Sequence, residues 1–139
     1  MFQAAVLLAQ IRVQQRQLAT GLRFDDGLEL VIVDLAVTAT DFRGHPERLR
    51  LNSPPHVEET EHRLPITFRA RVGQGRVLAD PIELVLAARA TASFPGAFPP
   101  LSLAEIDALA AAEGHDWANR NAFLARVMPA HVARGTLDE

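Results

Sequence analysis

The sequence predicts a mixed α/β domain in which a sheet, including an antiparallel hairpin, is flanked by helices. Three observations predict it: one long run has the β-branched composition of a strand, two shorter runs alternate polar and apolar residues, and several segments carry helix signals. With 139 residues, of which 48% are hydrophobic, the chain has enough apolar material to bury a core. We therefore expect residues 1–139 to form a single domain.

The chain begins with an amphipathic pattern. From Phe2 to Leu18, glutamines occupy one helical face and apolar residues the opposite face, which predicts a helix that ends near Gly21. Asp26 and Gly27 then predict a turn, because this dipeptide tolerates the left-handed backbone of tight turns.

The run LELVIVDLAVTATDF (Leu28–Phe42) is the strongest strand signal. Its apolar residues stand at odd and even positions alike. We therefore expect a strand covered on both faces, as in a parallel sheet between helices. Gly44 and Pro46 predict that this strand ends within DFRGHP.

Two further runs predict half-exposed antiparallel strands. RLRL (Arg48–Leu51) and HRLPITFRARV (His62–Val72) alternate polar and apolar residues, and a loop through Pro54 and Pro55 would link them. Pro65 cannot donate a ladder hydrogen bond, which predicts an edge position for the second strand.

The best-marked helix start follows the GQG turn at 73–75. Asp80 can cap the helix, Pro81 suits its first position and Glu83 completes a capping box. The segment from Asp80 to about Ser93 is apolar on nearly all sides, so this helix should be buried.

Two more helices are predicted in the C-terminal part. Ser102 and Glu105 form a second capping box, and that helix should end at Gly114. A third helix should start after Asp116 and stop before Pro129.

Composition excludes several function classes. The chain has no cysteine, so a disulfide framework and a thiolate zinc site are impossible, and all fourteen basic residues are arginine, so no Schiff-base or P-loop lysine exists. A net charge of −3 argues against a nucleic-acid partner. No apolar run reaches the roughly 18–20 residues of a membrane span, and no signal peptide is evident, so we expect a soluble, cytoplasmic chain.

The segment HVEETEH (His56–His62) has the composition of a metal site but not its spacing. Its two histidines are six residues apart, which puts them on different faces of a helix and about 20 Å apart in a strand at about 3.3 Å per residue. We interpret the segment as solvated, and predict neither a metal site nor a cofactor.

Ser93 in AARATASFPGAFPP (Ala87–Pro100) is a candidate nucleophile, but its neighbouring residues do not fit that role. A nucleophile elbow needs a preceding strand and glycines two residues before and after the serine, whereas this chain has a helix, Thr91 and Pro95. Ser53 precedes two prolines, and Ser102 is explained as a helix cap. The sequence therefore predicts no catalytic residue.

Three blocks nevertheless resemble one family. LAVTATDFRG (Leu35–Gly44), EHRLPITFRA (Glu61–Ala70) and AARATASFPGAFPP stand in the order and spacing of patatin-like phospholipases, in particular the bacterial patatin-related proteins. The third block is the most specific, because it is similar to the segment that leads toward the catalytic aspartate of that family.

The resemblance implies a partial patatin-like, α/β-hydrolase-related sheet and, for the parent protein, hydrolysis of lipid acyl esters by a Ser-Asp dyad. This chain contains neither G-x-S-x-G nor an Asp-Gly-Gly or Asp-Gly-Ala after the FPP block. We therefore expect an interior part of a larger patatin-like domain that is inactive in isolation. Sheet edges that have lost their neighbours would favour a homo-oligomer.

An alternative is a non-catalytic module that binds a partner protein or an anionic lipid surface. Its basic residues would lie on the predicted hairpin: Arg43, Arg48, Arg50, Arg63, Arg69 and Arg71.

Overall fold

The computed structural model describes residues 10–12, 31–72, 77–93 and 99–137. Their elements follow in the order strand β1 (Val31–Arg50), strand β2 (His56–Val72) and helices α1 (Pro81–Thr91), α2 (Leu103–Ala112), α3 (Arg120–Val127) and α4 (Pro129–Arg134). Residues 10–12 are helical, in agreement with the predicted first helix, whereas the rest of that helix and the Asp26-Gly27 and GQG turns lie outside the described residues.

Strands β1 and β2 form one long antiparallel hairpin. Val31 pairs with Val72 at the open end, and Arg50 pairs with His56 next to the loop that contains Pro54 and Pro55. The predicted hairpin and its loop are thus confirmed, but β2 begins six residues before the predicted start at His62. Pro65 stands opposite Thr38 within the ladder.

Two predictions about β1 are wrong. Its described partner is the antiparallel β2 rather than a parallel strand, and exposed residues such as Asp34, Ala36 and Thr38 alternate with more buried ones. These small or polar residues suit a solvated face, which antiparallel sheets tolerate. The strand also does not end at DFRGHP: a register shift between Thr40 and His45 absorbs the extra residues, and pairing resumes.

Gly44 makes that irregularity possible. Its φ is 73°, a left-handed conformation that favours glycine, and a Cβ at this position would stand 2.5 Å from Thr60 Cγ2 and 2.9 Å from His62 Cε1. A side chain at residue 44 would therefore have to displace the side chains of Thr60 and His62.

The helices and the inner face of the hairpin share one core. The hairpin contributes Leu64, Ile66 and Phe68, whose neighbours Pro65 and Thr67 are exposed, as expected for a strand with one covered face. The helical region supplies the other large buried residues, which are Ile82, Val85, Leu86, Leu103, Ile106, Leu109, Trp117, Phe123, Leu124 and Val127.

The predicted helix starts are confirmed. The side chain of Asp80 accepts a hydrogen bond from the Ile82 N–H at 2.8 Å, and Ser102 caps α2 through the Glu105 N–H. Helix α1 is buried as expected. Glu83 departs from its predicted capping role: no described hydrogen bond joins its side chain to the start of α1, and the residue is only 8% exposed.

The C-terminal chain contains one helix more than predicted. After α3 stops at Val127, as expected before Pro129, the proline occupies the first position of the short α4. Among the described residues, no helix has both the length and the apolar character needed to cross a membrane.

Candidate functional site

Among the described residues, one group of a carboxylate and two imidazoles lies close together around Asp41, at the bulge of β1. The Nε2 atom of His131, on α4, lies 2.7 Å from Asp41 Oδ2, and Nδ1 of His45 lies 3.2 Å from the same oxygen. The two imidazole rings meet edge to face, with 5.9 Å between their centroids. We call these three residues the Asp41 cluster.

The cluster is largely shielded from solvent. The side chains of Asp41 and His131 are each 12% exposed and that of His45 is 20% exposed. Charge interactions are stronger at such a site than at the open surface, because less water screens them.

Groups around the cluster hold its members in position. The Arg43 backbone N–H donates to Asp41 Oδ1 at 3.2 Å, and His62 Nδ1 donates to the Asp41 carbonyl oxygen at 2.8 Å. On the far side of His131, Nδ1 lies 3.1 Å from the hydroxyl of Thr136. The Asp41 carboxylate and the His131 ring are therefore each fixed from two directions.

Burial and hydrogen bonding act on the pKa of Asp41 in opposite directions. Partial burial favours the neutral acid and raises the pKa, but hydrogen bonds from His131, His45 and the bulge backbone together lower it by more. The net pKa of Asp41 lies below its ordinary value, so the side chain is a carboxylate at neutral pH.

The Asp41 cluster offers a donor set that metals use. One carboxylate oxygen and two imidazole nitrogens lie within 4.8 Å of one another. Carboxylate and imidazole are ordinary protein ligands for zinc and other first-row transition metals. The sequence pattern did not indicate that these three residues lie together.

A second histidine group secures the start of α1. His115 Nε2 lies 2.8 Å from Asp80 Oδ1, and Arg12 Nη2 lies 3.0 Å from His115 Nδ1. Because a guanidinium can only donate, Nδ1 accepts in this pair and Nε2 carries the proton given to Asp80. We interpret this group as structural, because its contacts hold the carboxylate of Asp80, which caps α1.

Glu83 lines an open groove of about 460 Å³ beside the same helix start. Burial raises the pKa of Glu83, and the nearby charge of Asp80 adds to the rise. The buried indole N–H of Trp117 has no hydrogen-bond partner of ordinary geometry among the described residues. It nevertheless faces Glu83 and favours the charged carboxylate, which lowers the pKa in part. Arg126, also in the groove, opposes the rise too.

Ser93 has no catalytic neighbours in the described structure. Its hydroxyl donates to the Arg89 carbonyl oxygen at 3.0 Å and accepts from Arg89 Nη1 at 3.2 Å. Both contacts belong to the end of α1. Within the described residues no carboxylate or imidazole contacts this hydroxyl, so nothing there could take its proton.

The side chains of the HVEETEH segment do not come together as one ligand cluster. The segment lies within β2, where His56, Glu58 and Glu59 are exposed. His62 is exposed as well, but its ring donates a hydrogen bond to the backbone of Asp41. The structure thus brings one of the two suspected histidines next to the Asp41 cluster, as a neighbour that contacts its backbone.

The hairpin arginines are interleaved with acids. Arg69 pairs with Asp34 at 3.2 Å, and Arg63 pairs with Glu61 at 3.3 Å. The described surface of the hairpin is therefore mixed in charge rather than uniformly basic.

Comparison of the chain with protein-family models, with curated proteins and with solved structures gave no match. Its class is thus defined by its own architecture, a mixed α/β chain with helices packed against a two-stranded antiparallel hairpin.

Proposed function

We propose that this chain is a segment of a patatin-like lipid acyl hydrolase and contributes scaffold rather than the Ser-Asp dyad of that family. One observation carries the proposal: the described parts of the three blocks that resemble the family lie together in space. The first two are strand partners, with Val37 opposite Ile66. The third joins the first through the Thr91 hydroxyl, which donates to the Thr38 carbonyl oxygen at 2.9 Å.

Contact between the blocks matters because they are separated along the chain. The Thr91 and Thr38 partners are 53 residues apart. Segments that make up one part of a domain pack together, so this contact agrees with the proposal. The packed unit also includes Ile66 and Val85, both fully buried.

The chemistry of Ser93 supports the absence of turnover in the isolated chain. Its hydroxyl is engaged by Arg89, and the sequence holds neither a G-x-S-x-G serine nor an Asp-Gly-Gly or Asp-Gly-Ala after Pro100. The substrate of the parent would be a lipid or another acyl ester, bound and cleaved with residues outside this chain.

Ester hydrolysis by the isolated chain tests this assignment. We expect no release of p-nitrophenol from p-nitrophenyl butyrate above buffer, and Ser93→Ala should give the same trace. Turnover by the wild-type chain that is lost in Ser93→Ala would refute the scaffold role.

Homo-oligomer formation belongs to the same proposal. In the described part of the chain, β1 and β2 are paired only with each other, so each has an edge whose N–H and C=O groups can pair with another strand. Light scattering coupled to size exclusion should give a mass greater than that of one chain. A monodisperse monomer would argue against a homo-oligomer.

The alternative, an anionic lipid surface that binds the hairpin arginines, has weaker support. Acidic residues neutralise part of the charge on the same strands, including Asp34 beside Arg69. Such binding would fall with salt, so co-sedimentation with phosphatidylserine vesicles at two ionic strengths would detect it.

A further inference from the structure

We propose that Asp41, His45 and His131 bind one divalent transition-metal ion, with Zn²⁺ as the best match, and that the ion fastens α4 to the bulge of β1. This site is separate from acyl hydrolysis and does not depend on the family assignment.

The distances between the ligand atoms suit a single ion. Zinc bonds to imidazole nitrogen and carboxylate oxygen are about 2.0–2.2 Å long, so two ligands of a tetrahedral ion stand about 3.3–3.5 Å apart. Asp41 Oδ2 is 3.2 Å from His45 Nδ1 and 2.7 Å from His131 Nε2, and all three atoms lie within 4.8 Å. Modest side-chain shifts would bring the three ligand atoms to these separations.

The surroundings of the cluster are those of a prepared site. Histidine ligands of metals almost always use their second ring nitrogen in a hydrogen bond, which fixes the ring. His131 meets this condition through Thr136, which lies 3.1 Å from Nδ1 and leaves Nε2 directed at Asp41. The Arg43 N–H donates to Asp41 Oδ1, which leaves Oδ2 as the ligand atom.

The donor set selects among metals. Two imidazoles and one carboxylate favour zinc and its neighbours over Mg²⁺ and Ca²⁺, which prefer oxygen ligands. Because the protein supplies three ligands, a tetrahedral ion would retain one position for water.

Binding should stabilise the fold because the ligands come together only when it forms. Asp41 and His131 are 90 residues apart, and α4 is a helix of six residues whose N-terminus has no side-chain cap. An ion that binds the folded chain but not the unfolded one raises stability as its concentration exceeds the dissociation constant.

Metal titration of the chelator-treated, desalted chain tests the site. Isothermal titration with Zn²⁺ should show one ion per chain, and Co²⁺ should give the visible absorption of a four- or five-coordinate site. His45→Ala and His131→Ala should each weaken Zn²⁺ binding by at least about tenfold, since losing even an outer-shell partner often costs that much. Asp41→Asn, which preserves shape, should weaken it as well.

His56→Ala is the matched control, because His56 is an exposed histidine on the neighbouring strand. It should leave the dissociation constant and the Co²⁺ spectrum unchanged. The Zn²⁺-induced rise in melting temperature of the wild-type chain provides a readout that needs no variant to fold. Absence of stoichiometric binding to the wild-type chain, or equal loss in His56→Ala and His131→Ala, would overturn the proposal.

Discussion

The Thr91 hydroxyl donates a hydrogen bond to the Thr38 carbonyl oxygen at 2.9 Å, and so ties the end of α1 to the middle of β1. Because Pro65 stands opposite Thr38 and has no N–H, this part of the ladder lacks one backbone donor. The Thr91 side chain supplies a donor to the Thr38 carbonyl from a different element of the fold.

Thr91→Val keeps the shape of the side chain and removes that donor. We expect the free energy of unfolding to fall by about 0.5–1.5 kcal/mol, the usual net value of one hydrogen bond. Urea denaturation measures the change. Thr40→Val, the same replacement at an exposed residue of β1 without a described side-chain hydrogen bond, should have a smaller effect.

Gly44→Ala should lower the stability of the fold more than Gly114→Ala does. Both glycines have positive φ, 73° and 58°, so alanine carries a similar backbone penalty of about 1 kcal/mol at each. A Cβ at Gly44 would also collide with Thr60 and His62, whereas nothing lies within 4 Å of one at Gly114. Equal melting temperatures for the two variants would show that the bulge is not closely packed against β2.

Glu83 predicts a pH dependence of stability. Its pKa is raised in the folded state, so its favourable contribution is complete below the ordinary glutamate pKa and is lost as pH rises through the folded value. Glu83→Gln cannot ionise. We expect it to be more stable than wild type at pH 8 and to lose that advantage near pH 4, as thermal melts across this range would show. A difference that does not change with pH would contradict the buried-acid assignment.

Arg120 should not be replaceable by lysine. Its Nε and Nη2 atoms each lie 2.7 Å from an oxygen of Asp107, a two-point contact that links α3 to α2, and its guanidinium lies over the Trp117 ring at 5.8 Å. Lysine cannot reproduce the planar fork. Arg120→Lys and Arg120→Met should therefore both lower stability, by about 1 kcal/mol because the pair is only partly buried. Full retention of the wild-type melting temperature by Arg120→Lys would contradict this.

Local chemistry made several elements predictable. Asp80 followed by Pro81, and Ser102 followed by Glu105, are signals contained within four residues, and both helices start where these signals place them. The hairpin loop at Pro54 and Pro55 was equally readable, because both flanking segments are strands and prolines favour turns.

The partner of β1 and the Asp41 cluster were not predictable in the same way. The composition of a strand does not specify its neighbour, and apolar residues at both odd and even positions of the run predicted a second covered face that the described structure lacks. Asp41 and His45 stand four apart within DFRGHP, which was a weak hint. Their meeting with His131 depends on how α4 packs, 90 residues away from Asp41.

The most direct test of the proposed function is fatty-acid release from phospholipid vesicles by the full product of the reading frame that contains this sequence. We expect hydrolysis that falls at least about a thousandfold when the serine of a G-x-S-x-G motif outside these 139 residues is changed to alanine, and that survives Ser93→Ala. A product without that motif, or without lipid hydrolysis, would contradict the assignment to a patatin-like acyl hydrolase.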